Sequence, residues 1–366
     1  MFERSLGLAT ATLLVASLLP AAGNAQPMGA KGEDFLYQVE PGDTLEQLAL
    51  RYTLKASNWA TLQTFNHIDD PYHLQVGNIL KIPLSLIPTL PSGATVAYAS
   101  GDASVDGHPM QSGMVLHAGQ TLHTDGQSAV TLILSDGSQL TLDPGTTLQV
   151  LRLKKFQGTG LTDTVLEMKS GSLDSSVAPD HQGVGRFEVR TPVTVTGVRG
   201  TQLRIRTGDQ GSQHEVLQGR IATQGTHRAG EQDVTADHGI AYGTSGQSLG
   251  IQKLLPAPTL QTPVSTGGGW RLTFEPIPGA AAYRVRVAQD AAGRFPESEQ
   301  TVTSPVAMVT SRLGGRHYVF IRGISPLKIE GQEASLALEF PWGVTSSDGS
   351  PVLDGFGEPI RRQADW

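Results

Sequence analysis

The stretch "SAVTLILSDGSQLTLDPGTTLQVL", residues 128–151, decides the fold class. Val130, Leu132 and Leu134 alternate with small or polar neighbours, Asp136-Gly137 supplies a turn that tolerates positive φ, and Leu140 and Leu142 continue the alternation on the return. A period of two on both sides of a Asp-Gly pair specifies a β-hairpin. The same grammar recurs in "EVLQGRIATQGTHRAGEQDV", residues 215–234, where Gly219, Gly225 and Gly230 punctuate short strands. Residues 94–250 therefore read as an all-β domain of successive hairpins.

Outward from this domain the chain changes character at two proline-rich joints, "IPLSLIPTLPSG" (82–93) and "LLPAPTLQTPVSTGGG" (254–269). Beyond the second, "GWRLTFEPIPGAAAYRVRVA", "AMVTSRL" and "HYVFIRGIS" alternate again and predict a β-sandwich over residues 257–340, with Trp270, Tyr283, Val285, Val287, Tyr318 and Phe320 in its core. Residues 251–256 form the linker, and 341–366, rich in turn formers, a loose tail. Before the first joint the pattern is strand, helix, helix, strand. Leu45, Leu48, Ala49 and Tyr52 fall on one helical face, and Asp43 with Glu46, or Thr44 with Gln47, has the spacing of a capping box. Trp59, Leu62 and Phe65 mark a second helix, and residues 35–84 form one small α+β module followed by the linker 85–93.

At the start, Arg4 precedes an apolar stretch from Leu6 to Leu19, and Gly23 and Ala25 place small residues where a secretory leader is cut. Residues 1–25 read as that leader, which sends the chain across the inner membrane to the periplasm or cell envelope. No later run reaches the length of a membrane helix. Cysteine is absent, which excludes disulfides and thiol chemistry, and a formal charge of −7 argues against nucleic acid or an anionic membrane surface as the main partner.

Enzyme signals are sparse. "GQSLG" around Ser248 has the letters of a nucleophile elbow but lacks the following helix, since Pro256 and Pro258 come next. The 10 histidines show no close His/carboxylate spacing that would hold zinc. The reading is a protein without an enzymatic activity, a cofactor or a metal.

Three resemblances extend this. Tyr37-x-Val39, Gly42-Asp43-Thr44-Leu45, Leu48-Ala49, Trp59-x-x-Leu62-x-x-x-Asn66 and Leu74-x-x-Gly77-x-x-Leu80-x-Ile82-Pro83 resemble a LysM domain. That resemblance implies a βααβ fold that binds N-acetylglucosamine-containing polymers, in bacteria chiefly peptidoglycan, in a groove between Gly42, Asp43, Thr44, Leu45 and Asp70, Pro71, Tyr72, Leu74, Gln75. Phe187, Val189, Thr191-Pro192, Val195, Gly197-Val198-Arg199-Gly200-Thr201 and Leu203 resemble the FecR-type domain of iron-dicitrate sensors. The odd-numbered apolar residues there, from Phe187 through Val193 and Val195 to Ile205, predict one buried face, and Arg199 in the same phase calls for a bulge or a buried carboxylate partner. "FEPIPGAAAYRVRVA" is similar to fibronectin type III domains, which imply a spacer or protein contact. Together these give a mainly β, multidomain envelope protein that binds peptidoglycan and presents two β-domains to an envelope protein partner. The alternatives are a cell-wall hydrolase or its activator, and a soluble periplasmic component of FecR-like signalling.

Overall fold

Alternating apolar residues pair into strands almost throughout the computed structural model, which describes residues 29–126, 128–177, 184–226, 230–266, 269–311, 313–340, 352–353 and 355. The expected leader at 1–25, nearly all of the expected tail and the side chain of Arg199 lie outside the described residues.

In the first module, strands Asp34–Gln38 and Ile79–Pro83 pair antiparallel, with Tyr37 opposite Leu80, and helices Leu45–Thr53 and Trp59–Phe65 pack on them. Its core holds Phe35, Leu48, Tyr52, Leu62 and Ile82. Asn66 staples the second helix to the returning strand, accepting from Lys81 N at 2.7 Å and donating to Lys81 O at 2.8 Å. The joint after this module is not free chain. Leu84 and Ile87 belong to the module's core, and Thr89–Pro91 is a strand paired with Thr147–Phe156 of the next domain.

The central domain winds 16 strands among the described residues into one sheet around a single apolar core. The hairpin Ala129–Leu134 and Gln139–Leu142 pairs as its sequence predicts, Leu132 opposite Leu140 across a turn in which Gly137 has φ +84°. Several pairings depart from hairpin succession: Ala94–Ser100 pairs with Ala129–Leu134, Gln139–Leu142 with Thr162–Ser176, and Thr162–Ser176 and Val184–Arg190 run parallel. The buried phase also departs from expectation. Phe187, Val189, Leu203 and Ile205 are buried, but Val195 is 38 % exposed and Thr194, Thr196 and Val198 face inward instead. Register shifts between Arg199 and Leu203, with Gly200 at φ +54°, mark a bulge. Its extra residue swaps the two faces of the strand, so the inward series is even before it and odd after it.

The C-terminal domain is a sandwich. One sheet holds Val264–Thr266, Gly269–Thr273 and Val306–Val309; the other orders Pro296–Val302, Ala282–Ala288, Gly315–Ile324 and Glu330–Phe340. Tyr283, Val285 and Val287 lie in its core as expected, with Trp270 partly buried against it, but Val319 and Ile321 fill it in place of Tyr318 and Phe320. Phe320 lies on the other face of its strand, beside Arg286 and Arg322, against the central domain. Both faces of this strand are covered, so alternation alone does not tell core from interface.

Candidate functional site

The first lip of the predicted groove is a reversal set by its own residues. Asp43 N donates to Glu40 O at 3.2 Å across Pro41 and Gly42, and Gly42 takes φ +90°, the geometry of a type II turn. The Asp43 carboxylate accepts from Glu40 N at 2.8 Å and from the Tyr37 hydroxyl at 2.7 Å. Burial, then that bond, raises the Tyr37 phenol above its ordinary range. Arg51 Nη1 donates to the same phenol at 3.5 Å, so the lip is tied from inside to the helix it starts. Thr44, in extended conformation, is the N-cap, its hydroxyl accepting from Gln47 N at 3.2 Å. Asp43 therefore holds the turn and Thr44 caps the helix. Leu45, at 1 % exposure, is spent on the core and offers no surface to a ligand, a correction to its assignment as a sugar contact.

The second wall is an acid-capped loop. Asp70 accepts from Tyr72 N at 2.9 Å and from His73 Nδ1 at 2.7 Å, and these bonds, the backbone one first, hold its carboxyl below the usual range. Tyr72 is 87 % exposed, while Leu74 packs half-buried on the module's core. Gln75 Oε1 accepts from Asn78 Nδ2 at 3.2 Å. The two walls meet at Val39, whose N donates to Asn78 O at 2.9 Å and whose O accepts from Gly77 N at 2.8 Å.

Beside that seam lies an open depression of about 460 Å³, with Val39, Asn66, His67, Asp70, Leu74 and Gln75 among its walls. It takes in three of the predicted residues, Asp70, Leu74 and Gln75; Gly42, Asp43, Thr44, Pro71 and Tyr72 lie outside its lining. His67, His73 and Asn78 line it without having been singled out in the sequence. His67 carries φ +53° just past the second helix, and no local pattern marks that conformation in advance. The depression offers amides, imidazoles and carboxylates, with the exposed Tyr72 ring on the same loop.

The FecR-like motif is structural where it is described. Thr191 Oγ1 accepts from Thr194 N at 3.0 Å and closes a turn, Pro192 is exposed at its apex, and Val198 is core. Thr201, beyond Gly200, donates to Arg220 O at 2.8 Å and secures the bulge. Nearby His214, buried among Thr194, Thr196 and Ser212, is pushed down to about 3 by burial and is neutral. Ser248 starts an edge strand, its hydroxyl bonded to Gln232 Oε1 at 3.3 Å. Among the described residues no group of three or more His, Asp or Glu could hold a metal, and no helix is long and apolar enough to cross a membrane.

The family model for the LysM domain matches residues 37–83, and the model for the FecR protein matches residues 120–222. The chain carries a LysM domain followed by a FecR domain. An N-acetylmuramoyl-L-alanine amidase, XlyB of Bacillus subtilis, is 32 % identical over 79 residues, 22 % of this chain and 20 % of the amidase, in its LysM region. The chain thus spans about a fifth of that relative. A protein of Parabacteroides distasonis described as an anti-sigma factor shares 18 % identity at TM-score 0.30, over 36 % of this chain and 59 % of that one. The fn3 domain of human collagen alpha-1(XX) chain shares 26 % identity at TM-score 0.21, over 29 % of this chain and 99 % of that domain.

Proposed function

We propose that the protein is a non-enzymatic component of the cell envelope that binds peptidoglycan, an N-acetylglucosamine-containing glycan, through its LysM domain. The observation that carries the reading is the meeting of two loop walls at Val39, Gly77 and Asn78 inside the segment that matches the LysM model. An N-acetyl sugar needs amide and hydroxyl partners and one apolar face, which Asp70, Gln75, the 42–44 turn and the exposed Tyr72 ring provide. The FecR domain and the sandwich are presented to an envelope protein partner, and the leader at 1–25 delivers the chain to the periplasm. The FecR match also favours a second reading, a soluble component of envelope signalling, in which deletion of the chain alters a defined transcriptional response.

Co-sedimentation of the whole chain with purified sacculi tests the first reading. Wild type is retained, and Tyr72→Ala together with Gln75→Ala lowers retention with the circular dichroism unchanged, because both side chains are exposed. Equal retention of the variant removes the groove from the reading. Release of muropeptides would instead establish a hydrolase.

A further inference from the structure

The central domain and the sandwich enclose a cleft of about 380 Å³, within the range of small-ligand sites. Asp174, Ser175 and Arg204 stand on one wall, Phe320, Arg322 and Glu333 on the other. Arg204, 2 % exposed, donates from Nη2 to Gly331 O at 2.7 Å and reaches Glu330 only at 3.8 Å; its Nε has no partner. Arg322 Nε stands 3.0 Å from Glu330 Oε2 as an ion pair without a hydrogen bond, and its Nη2 stops 3.7 Å from Asp174 and makes no hydrogen bond either. The buried Ser175 hydroxyl is likewise unpartnered, and so is Asp174 Oδ1, although Asp174 Oδ2 accepts from Arg286 Nη1 at 2.8 Å. Three donors and one acceptor without partners therefore belong to residues that line one cleft.

The lining of the cleft is positively charged, with Arg204, Arg286, Arg294 and Arg322 against Asp174 and Glu333. Glu330 is shared by Arg204, Arg206, Arg284 and Arg322, although Arg284 also pairs with Glu299 and Arg322 also approaches Glu333. A buried polar atom without a partner is costly, so a cluster of them calls for an occupant.

We propose that this cleft binds a carboxylate flanked by an N–H donor, the grouping carried by a free amino acid and by the carboxyl-terminal end of a short peptide. The carboxylate oxygens take the free guanidinium donors and the Ser175 hydroxyl, and the N–H donates to Asp174 Oδ1. A plain anion leaves Asp174 unserved. The site lies outside the LysM domain, so sacculus retention on the same samples reports the glycan reading separately.

Calorimetric titration of the full chain with alanine, dialanine, acetate and inorganic phosphate tests it. Alanine or dialanine saturates the site at millimolar concentrations and raises the melting temperature, the tighter of the two identifying a free amino acid or a peptide end. Acetate and phosphate bind roughly tenfold more weakly or less, as expected for one lost charge-assisted hydrogen bond. Ser175→Ala removes a hydroxyl that bonds nothing in the protein, so the fold and melting temperature persist while affinity falls roughly five- to tenfold. Ser298→Ala, outside the cleft, leaves affinity unchanged. Absence of saturable binding by every probe, equal affinity in Ser175→Ala, or phosphate binding as tightly as alanine would each overturn the assignment.

Discussion

The central domain meets its two neighbours through boundaries of opposite chemistry. Toward the LysM domain the contact is apolar and continuous. Phe156 and Leu161 enter the same cluster as Phe35, Leu48 and Tyr52, the strand Thr89–Pro91 joins the central sheet, and Gln157 N donates to Pro88 O at 2.8 Å. Toward the sandwich the contact is ionic. Arg286 Nη2 donates to Asp143 Oδ2 at 2.6 Å and to Glu299 Oε2 at 2.9 Å, and Glu330 N donates to Glu215 Oε1 at 2.8 Å. Apolar contact there includes a small cluster around Ala241, Leu254 and Ile329, the Tyr98–Phe295 ring pair at 5.0 Å and Phe320 in the cleft beside Leu203 and Leu217. Apolar burial stabilises in proportion to area and tolerates small shifts, whereas a buried ionic network roughly breaks even and penalises every misplaced partner. The first boundary supplies adhesion and the second fixes one pose.

The largest expected effect breaks that second boundary. Arg286→Ala leaves Asp143, Asp174 and Glu299 facing one another without their shared cation, and the variant loses about 3–5 kcal/mol of docking stability. Urea unfolding followed by Trp270 fluorescence then splits into two transitions, and small-angle scattering shows a longer particle. A loss below about 1 kcal/mol would mean the ionic contact is ornamental. Phe156→Ala costs about 3 kcal/mol and loosens the LysM side instead, without lengthening the sandwich side.

Acidity separates the boundaries next. Burial pushes Asp143 up to about 7 from 3.8, against the pull of Arg286. A carboxyl whose folded value is raised stabilises fully while both states hold the proton and loses that contribution as pH rises through the folded value. Asp174, Glu299 and Glu330 are held low in spite of burial, Asp174 and Glu299 chiefly by Arg286 and Glu330 by Arg206, so their contribution is lost only on stronger acidification. Docking of the sandwich is therefore strongest in mild acid and weakens between about pH 4 and pH 7. Asp143→Asn flattens that slope in melting temperature; an unchanged slope would assign the titration elsewhere.

Local chemistry made part of this legible in the sequence. The Asp136-Gly137 hairpin, the Thr44 cap and the Gly42 turn each depend on residues within a few positions of one another, and the structure has them as written. The phase of Thr194 to Ile205 was not legible, because a single bulge residue inverts a period-two pattern without altering composition. Nor was the ionic boundary. Arg284, Arg286 and Arg322 have the spacing of an outer, solvated strand face, and nothing nearby reveals that Asp143, 143 residues away in the chain, covers Arg286. In the groove, Asp70, Leu74 and Gln75 were legible from the loop after the second helix, whereas helical periodicity already placed Leu45 in the core.

A surface charge at the LysM boundary contributes far less. The LysM boundary also carries an ion pair, Arg186 with Glu33, but Glu33 is 72 % exposed and Arg186 has a second carboxylate, Asp163, at 3.8 Å. Water screens this pair and the alternative partner compensates its loss, so Glu33→Gln changes stability by less than about 1 kcal/mol in urea unfolding. Equal charge removal at Glu299, which is only 12 % exposed and touches both Arg284 and Arg286, costs several times more. If Glu33→Gln matched Glu299→Gln, the difference between the boundaries would lie in shape alone and not in how each excludes water from its charges.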